Sequence, residues 1–236
     1  MTWRIRQLEP EVMDQPGLDP QVHRQALAGL ARLNGLSRSA GLLWPHVAIQ
    51  ARQLGRPVRV LDLASGGGDV AIALARRARK AGVQVHIDGH DLSTLAVEHA
   101  TMAAQREGFA QLRFTVRDVL RQSAEQRYDV VMSSLFLHHL TEGDALLLLR
   151  RMAEASTSLV LLNDLRRTRF GKPLVWLASR LVTRSRVVHV DGPLSAQAAF
   201  TVGELAAMAQ QAGLAGAAIT THFPQRMLLR WRRTPA

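Results

Sequence analysis

The chain has no cysteine, and that absence excludes disulfides, thiolate metal sites and a cysteine nucleophile. Acids are scarce: 19 Asp and Glu against 30 Lys and Arg leave a net charge of +11, nearly all of it carried by arginine. Such a field suits nucleic acid, an anionic membrane surface or an acidic substrate, or is simply a solvated surface. Long hydrophobic runs are missing as well. The opening Met1–Arg6 leads into acids and prolines, not into the apolar centre of a signal peptide. The longest uncharged stretch, 205–225, is broken by Gln210, Gln211, Gly213, Gly216 and Pro224. It therefore reads as a helix and a strand, not as a membrane span. These features lead us to expect a cytoplasmic protein. There is no internal repeat, and 236 residues suit one α/β domain with a small appendage.

What is present is organised around residues 58–69. Val58-Arg59-Val60-Leu61-Asp62-Leu63 is a short β-branched apolar run that predicts a buried strand. A small-residue turn, Ala64-Ser65-Gly66-Gly67-Gly68, follows, and then a run with helical periodicity from Asp69. Glycines let the backbone approach a ligand, and the helix start offers unpaired N–H groups. Three patterns compete for this turn. A dinucleotide fingerprint fits only if Ala71 takes the place of the last glycine, and a phosphate loop would need a Lys that is missing. The third, D-x-A-x-G-x-G, fits at Asp62, Ala64, Gly66 and Gly68.

The rest of the chain reads in order. Residues 1–19 form an irregular arm. Pro20 opens a helix that Asn34-Gly35 would end, and a second helix covers 39–54. These two helices form a lid over the ligand site or pack plainly on the sheet. Val83–Asp91 alternates as a strand with an acid at its tip, where a carboxylate can accept from both hydroxyls of a ribose. Asp91 is the first choice and Asp88 the second. Ser93 is placed to cap the next helix. Gln111–Val116 is a third strand followed by Asp118. Tyr128–Ser134 is a fourth, running into Leu137-His138-His139-Leu140. A helix at 142–155 precedes a fifth strand ending at Asp164.

Residues 166–200 break this rhythm. Seven cations, from Arg166 to Arg186, interleave with Phe170, Leu174, Val175, Trp176, Leu177, Leu181 and Val182. This predicts an amphipathic cationic helix that caps an apolar substrate, sits on an anionic membrane, or packs on the sheet. A cap is the reading we favour, with His189 in the segment after it. Thr201 and Glu204 make a capping box for a further helix, and 217–222 with 226–232 read as a terminal strand pair.

The D-x-A-x-G-x-G turn resembles motif I of the class I S-adenosylmethionine-dependent methyltransferases. Tyr128–Leu140, with its Leu-His-His-Leu, resembles motif IV of the small-molecule members. The resemblance covers about residues 55–165 and is nearest to the ubiquinone/menaquinone-biosynthesis type, in which a segment like Leu33-Asn34-Gly35-Leu36-Ser37 also approaches the cofactor. Met13-Asp14-Gln15-Pro16 and Asp191-Gly192-Pro193-Leu194-Ser195 are similar to segments of bacterial relatives in aromatic polyketide pathways. The resemblance implies a Rossmann-like α/β fold: a seven-stranded sheet with only the last strand antiparallel. Residues 1–54 would be an arm and lid helices, 55–236 the methyltransferase domain, and 166–200 a helical cap.

The implied cofactor is S-adenosylmethionine. Its contacts would be Asp62, Ala64, Ser65, Gly66, Gly68, Asp91, Leu92 and Ser134, with Asp118 by the adenine amino group and Val119 on the ring. Ala64 stands where glycine is usual, and Ser65 where cysteine is common. The implied acceptor is a small, apolar, aromatic or phenolic molecule, with O-methylation favoured over C-methylation. The base candidates are His139 first, then His138, Asp164 and His189. No metal is expected, because successive histidines project in different directions. The protein is expected to be a monomer or homodimer, with peripheral membrane contact open.

Rival functions are an RNA methyltransferase, a non-catalytic cofactor-binding subunit and a nicotinamide oxidoreductase. Against the first, motif IV lacks the Asn/Asp-Pro-Pro-aromatic segment used on base amines, and there is no cysteine for attack on cytosine. Ribose methylation stays open.

Overall fold

The computed structural model describes residues 2–14, 17–36 and 38–234. Gln15, Pro16 and Ser37, which belong to two of the quoted segments, lie outside that set. The strand-and-helix alternation is realised as β1 (Val58–Leu63), α3 (Asp69–Lys80), β2 (Val85–Asp91), α4 (Thr94–Arg106), β3 (Leu112–Val116), β4 (Tyr128–Ser134), α5 (Glu142–Ala155) and β5 (Ser156–Leu165). Two helices precede it, α1 (Pro20–Leu36) and α2 (Ser39–Leu54). Three helices and two strands follow it: α6 (Gly171–Val182), α7 (Arg186–Ala198), α8 (Val202–Gln211), β6 (Ala218–His222) and β7 (Arg226–Arg232).

The seven strands form one sheet in the order β3-β2-β1-β4-β5-β7-β6. All neighbours are parallel except β7, which runs antiparallel to both β5 and β6. The expected sheet and its one reversed strand are both present. Order reverses at β1 and β4, so a crevice opens beyond the carboxyl ends of those two strands. That is where the glycine turn and the histidine pair emerge.

Alternation along the strands builds two cores. Val58, Val60, Ile87, Val130, Met132 and Leu161 face α2 and α3 on one side. Leu61, Leu63, Val131, Val160 and Leu162 face α5 and α8 on the other. Local signals set the helix starts as expected: Ser93 Oγ accepts from Ala96 N–H at 3.2 Å, and Thr201 and Glu204 form the reciprocal capping box.

Two expectations are corrected. Asn34-Gly35 does not end α1, which runs on to Leu36. The Asn34 amide donates to Asp69 at 3.0 Å, so a tertiary partner holds the side chain and local propensity is overridden. Residues 166–200 form two helices, not one. Between them Thr183 Oγ1 accepts from Ser185 N–H at 3.1 Å, and Ser185 caps α7. His189 and Pro193 therefore lie inside a helix.

The arm before α1 is pinned rather than loose. Arg6 donates to the carbonyls of His138 (2.9 Å), Leu140 (2.6 Å) and Ala198 (2.5 Å), and stacks over Phe200. Asp191 accepts from Val12 and Met13 N–H at 2.9 and 3.0 Å. Leu27 of α1 lies over Gly67 of the glycine turn, and Gly29 faces Thr183 and Val188. The first helix is thus sandwiched between the turn and α7.

Candidate active site

Strand β1 delivers Asp62 to the crevice, and the chain then turns through three positive-φ residues: Ala64 (57°), Gly66 (54°) and Gly68 (75°). An alanine in that region is strained by about 1–2 kcal/mol, and such strain clusters at functional turns. Replacing Ala64 with Gly is accordingly expected to raise stability by about 1 kcal/mol, or roughly 2–4 °C in Tm for a chain of this size. A thermal melt checks this. A Cβ on Gly68 would sit 2.8 Å from Ala100 and 2.9 Å from Phe114, whereas nothing stands within 4 Å of one on Gly66. The turn is packed from behind and open in front.

Three carboxylates surround that opening. Asp62 is buried and, among the described residues, neither of its oxygens has a hydrogen-bond partner. Burial, reinforced by the negative charges of Asp69 and Asp91, pushes its carboxyl well above the ordinary range. Asp91 accepts from Gly66 N–H at 2.7 Å and Ser93 N–H at 2.9 Å, which fixes the turn and leaves acceptor capacity on the carboxylate. Burial also raises Asp69, and the Asn34 hydrogen bond and the Arg226 charge only partly oppose it. Among the described residues, the buried Ser65 hydroxyl has no partner either.

Asp62 imposes a pH dependence whose sign follows from its shift. An upward folded-state pKa means that the native state keeps a proton the unfolded chain has already lost. Stability is full below the unfolded value, near 4, and falls as pH rises toward the folded one. Asp62→Asn removes that slope, so the variant's stability relative to the parent should grow from about pH 4 upward. Urea midpoints across pH measure it.

The second strand tip separates the two ribose candidates. Asp91 ends β2, while Asp88 lies mid-strand and accepts from the Tyr128 hydroxyl at 2.9 Å. Leu92 stands 70% exposed beside Asp91. Asp118 accepts from Leu120 and Arg121 N–H at 2.9 and 3.1 Å. Val119, the residue expected to pack on the adenine ring, is buried in the cluster that also holds Leu63 and Tyr128. Ser134 Oγ accepts from the Asn163 amide at 2.8 Å.

On the other lip of the crevice, Leu135 takes φ 59°, and a single 3-10 turn, Leu137–His139, presents both histidines. Their rings lie 4.3 Å apart. The expectation that adjacent histidines diverge is therefore wrong, since a tight turn brings the rings together. His138 Nδ1 is 2.6 Å from Asp164 Oδ1, in a wholly buried contact. Burial alone would raise Asp164, but the His138 charge and hydrogen bond, the Leu165 N–H and the Arg226 charge together hold it below the ordinary range. Asp164 also accepts from Leu137 N–H at 2.7 Å. These contacts hold Asp164, one of the base candidates, against His138 and the backbone of the histidine turn.

His139, more exposed, stacks on Phe136 and has Nδ1 3.8 Å from Glu11 Oε1. Glu11 in turn accepts from Ser195 Oγ at 2.6 Å. The Nε2 of His189 is 2.7 Å from the Thr183 carbonyl, so the ring braces the α6–α7 turn. The structure groups Asp164, His138 and His139 and engages His189 at the α6–α7 turn.

Glu11, Arg6 and Arg226 drew no attention in the sequence, because each reaches the site from more than 50 residues away. Arg226 is fully enclosed, and burial lowers its guanidinium to about 10 against the opposing charges of Asp164 and Asp69. Its charge acts on an acid of each lip of the crevice, and one of its nitrogens lies 3.4 Å from Asn34 Oδ1. Glu11, His138 and His139 bring ligand atoms within 4.8 Å of one another, a donor set that a divalent metal also accepts.

The charge at the turn decides between the three patterns. A pyrophosphate or triphosphate would add negative charge beside Asp62, Asp69 and Asp91, two of which already resist ionisation, whereas a positively charged ligand would favour their ionised forms. Residues 60–157 match the family model described as a methyltransferase domain. That segment is similar to a methyltransferase domain.

Solved methyltransferase structures share the fold of this chain. One is a magnesium protoporphyrin IX methyltransferase from Synechocystis PCC 6803 with bound SAH (17% identity, 94% of this chain and 91% of that one, TM-score 0.59). A plantazolicin methyltransferase with a desmethyl analogue and SAH aligns at 14% identity over 92% of both chains, TM-score 0.71. An S-adenosylmethionine-dependent methyltransferase, SibL, aligns at 20% identity over 99% of this chain and 65% of that one, TM-score 0.67. No curated protein sequence matches the chain.

Proposed function

We propose that this methyltransferase uses S-adenosylmethionine to methylate a hydroxyl of a small, apolar, aromatic acceptor. The observation that carries the reading is the pairing of an acid-ringed glycine turn with a buried Asp164–His138 pair across one crevice. The residues present fit the cofactor. Asp62, orphaned and buried, awaits a cationic partner, Gly66 leaves room in front of the turn, and Asp91 keeps acceptor capacity for a ribose. When bound, the cofactor supplies an electrophilic methyl group on a sulfonium.

The chain's own work is positioning and proton removal. Holding the acceptor oxygen in line is worth roughly 7–11 kcal/mol at best. His139 is the histidine an acceptor hydroxyl can reach, and the Glu11 carboxylate stabilises the imidazolium formed when it takes the proton. His138, held through Nδ1 by the ionised Asp164, supports the same ring from behind. The short arm, through Arg6, keeps the histidine turn in place. We also read 1–54 as the lid and 166–200 as the acceptor cap.

The test is a methyl-transfer assay on phenolic polyketides, quinols and RNA, with and without a chelator. Transfer to a phenol or quinol that survives the chelator supports the reading. Transfer to RNA alone, with salt-dependent retention on a gel, would replace it by the ribose or base alternative. Loss of transfer with the chelator would turn the Glu11–His138–His139 set from a proton acceptor into a metal site.

A further inference from the structure

Helix α6 packs Val175 on Gly192 of α7 but leaves an apolar stripe uncovered on its outer side. The positions it buries are Gly171 and Ser179, whereas Phe170 (61% exposed), Trp176 (48%), Leu177 (49%) and Leu181 (77%) face outward. The apolar residues recur at 170, 173, 176/177 and 181, one stripe along a helix. Exposed cations edge it: Arg169, Lys172, Arg180 and Arg184. Two of these lie over the aromatic rings they flank, Arg169 over Phe170 at 4.5 Å and Arg180 over Trp176 at 4.1 Å. No acid occurs from Leu165 to Val190.

The arm extends the same surface. Exposed Trp3 and Ile5 share with Lys172 and Pro173 a cleft of about 310 Å³. The next arm residue, Arg6, grips the histidine turn. An apolar, cation-edged surface thus adjoins the place where the acceptor would be deprotonated. Interfacial helices have this construction: bulky apolar side chains enter the acyl boundary while cations meet anionic headgroups. No helix among the described residues is long and apolar enough to cross a membrane, so the contact would be peripheral.

We infer that the α6 face, with Trp3 and Ile5 of the arm, docks on an anionic lipid bilayer. This deepens the proposed function, for it rests on that reading only in making the bilayer the route by which an apolar acceptor arrives. The docking itself needs neither cofactor nor acceptor, so its test stands apart from the test of the activity.

The full chain is sedimented with vesicles of phosphatidylcholine alone or mixed with phosphatidylglycerol, at low and high salt. Trp176 fluorescence is followed against a Trp176→Phe control. Binding to the anionic vesicles should exceed that to neutral ones by tenfold or more, fall with salt, and shift Trp176 emission to shorter wavelength. Leu177→Glu/Leu181→Glu should abolish it, and loss of one exposed cation should reduce it roughly fivefold. The melting temperature of both variants should match the parent, because these side chains face solvent. Equal binding by the double variant, or none by the parent, overturns the inference. So does a concentration-dependent dimer that the double variant abolishes, since the occupant would then be a second copy of this chain. Retention by RNA in place of vesicles overturns it equally.

Discussion

Asp164→Asn is expected to lower turnover by about 10²–10⁴-fold, the range of a lost acid–base contribution, with affinity for S-adenosylhomocysteine nearly unchanged. The carboxylate fixes which nitrogen of His138 carries the proton, through a 2.6 Å contact that excludes water. An amide cannot enforce that tautomer, because its NH₂ would face the same nitrogen as a second donor. His139→Ala should lose turnover in the same range, again with cofactor affinity intact. The diagnostic readout is kcat against the KM for the cofactor, at one pH, with thermal melts as a folding control. His189→Ala serves as the contrast: its ring is bonded to Thr183, so stability should fall while kcat holds. Full turnover in both Asp164→Asn and His139→Ala would remove the histidine turn from the chemistry.

The largest stability effect belongs to Arg226→Met. The guanidinium is buried and faces two carboxylates, Asp164 and Asp69. Removing it takes away the buried positive charge that offsets both carboxylates, and losing one side of a buried set of opposite charges costs about 3–5 kcal/mol. At roughly 2–4 °C per kcal/mol for a chain of this length, Tm should drop by about 6–20 °C. Adding Asp69→Asn to the variant removes one of the stranded charges and should recover part of the loss, a non-additivity that identifies the pair as coupled. A drop of only a degree or two, with additive behaviour, would show that Arg226 contributes through packing alone.

The sequence was most legible where a few neighbouring residues define the structure. Asp62 to Gly68 marks a strand and its turn, Ser93 and Thr201 cap helices with their own hydroxyls, and the acid at Asp91 falls at a strand tip because an alternating run ends there. Legibility failed where the deciding partner is remote. Asn34 reads as a helix stop until Asp69, 35 residues on, takes its amide. Asp164 reads as a free base until the fold encloses it beside His138. Arg226 is one arginine among many, and only the antiparallel insertion of β7 beside β5 carries it into the crevice. The histidine pair is legible as a candidate from its place at the end of a central strand. Its geometry was misjudged because alternation along a strand was applied to a 3-10 turn.

The account depends on Asp62 and its neighbours drawing a positively charged nucleoside to the glycine turn. Calorimetric titration of S-adenosylmethionine and S-adenosylhomocysteine into the parent and into Asp62→Asn tests this directly, with NAD as the comparison ligand. The predicted result is one-to-one binding of both nucleosides to the parent, with S-adenosylmethionine weakened at least about 30-fold in the variant, as expected when one partner of a desolvated charge pair is removed, S-adenosylhomocysteine, which lacks the sulfonium charge, weakened less, and no heat with NAD. Equal affinity in parent and variant, or binding of NAD alone, would contradict it.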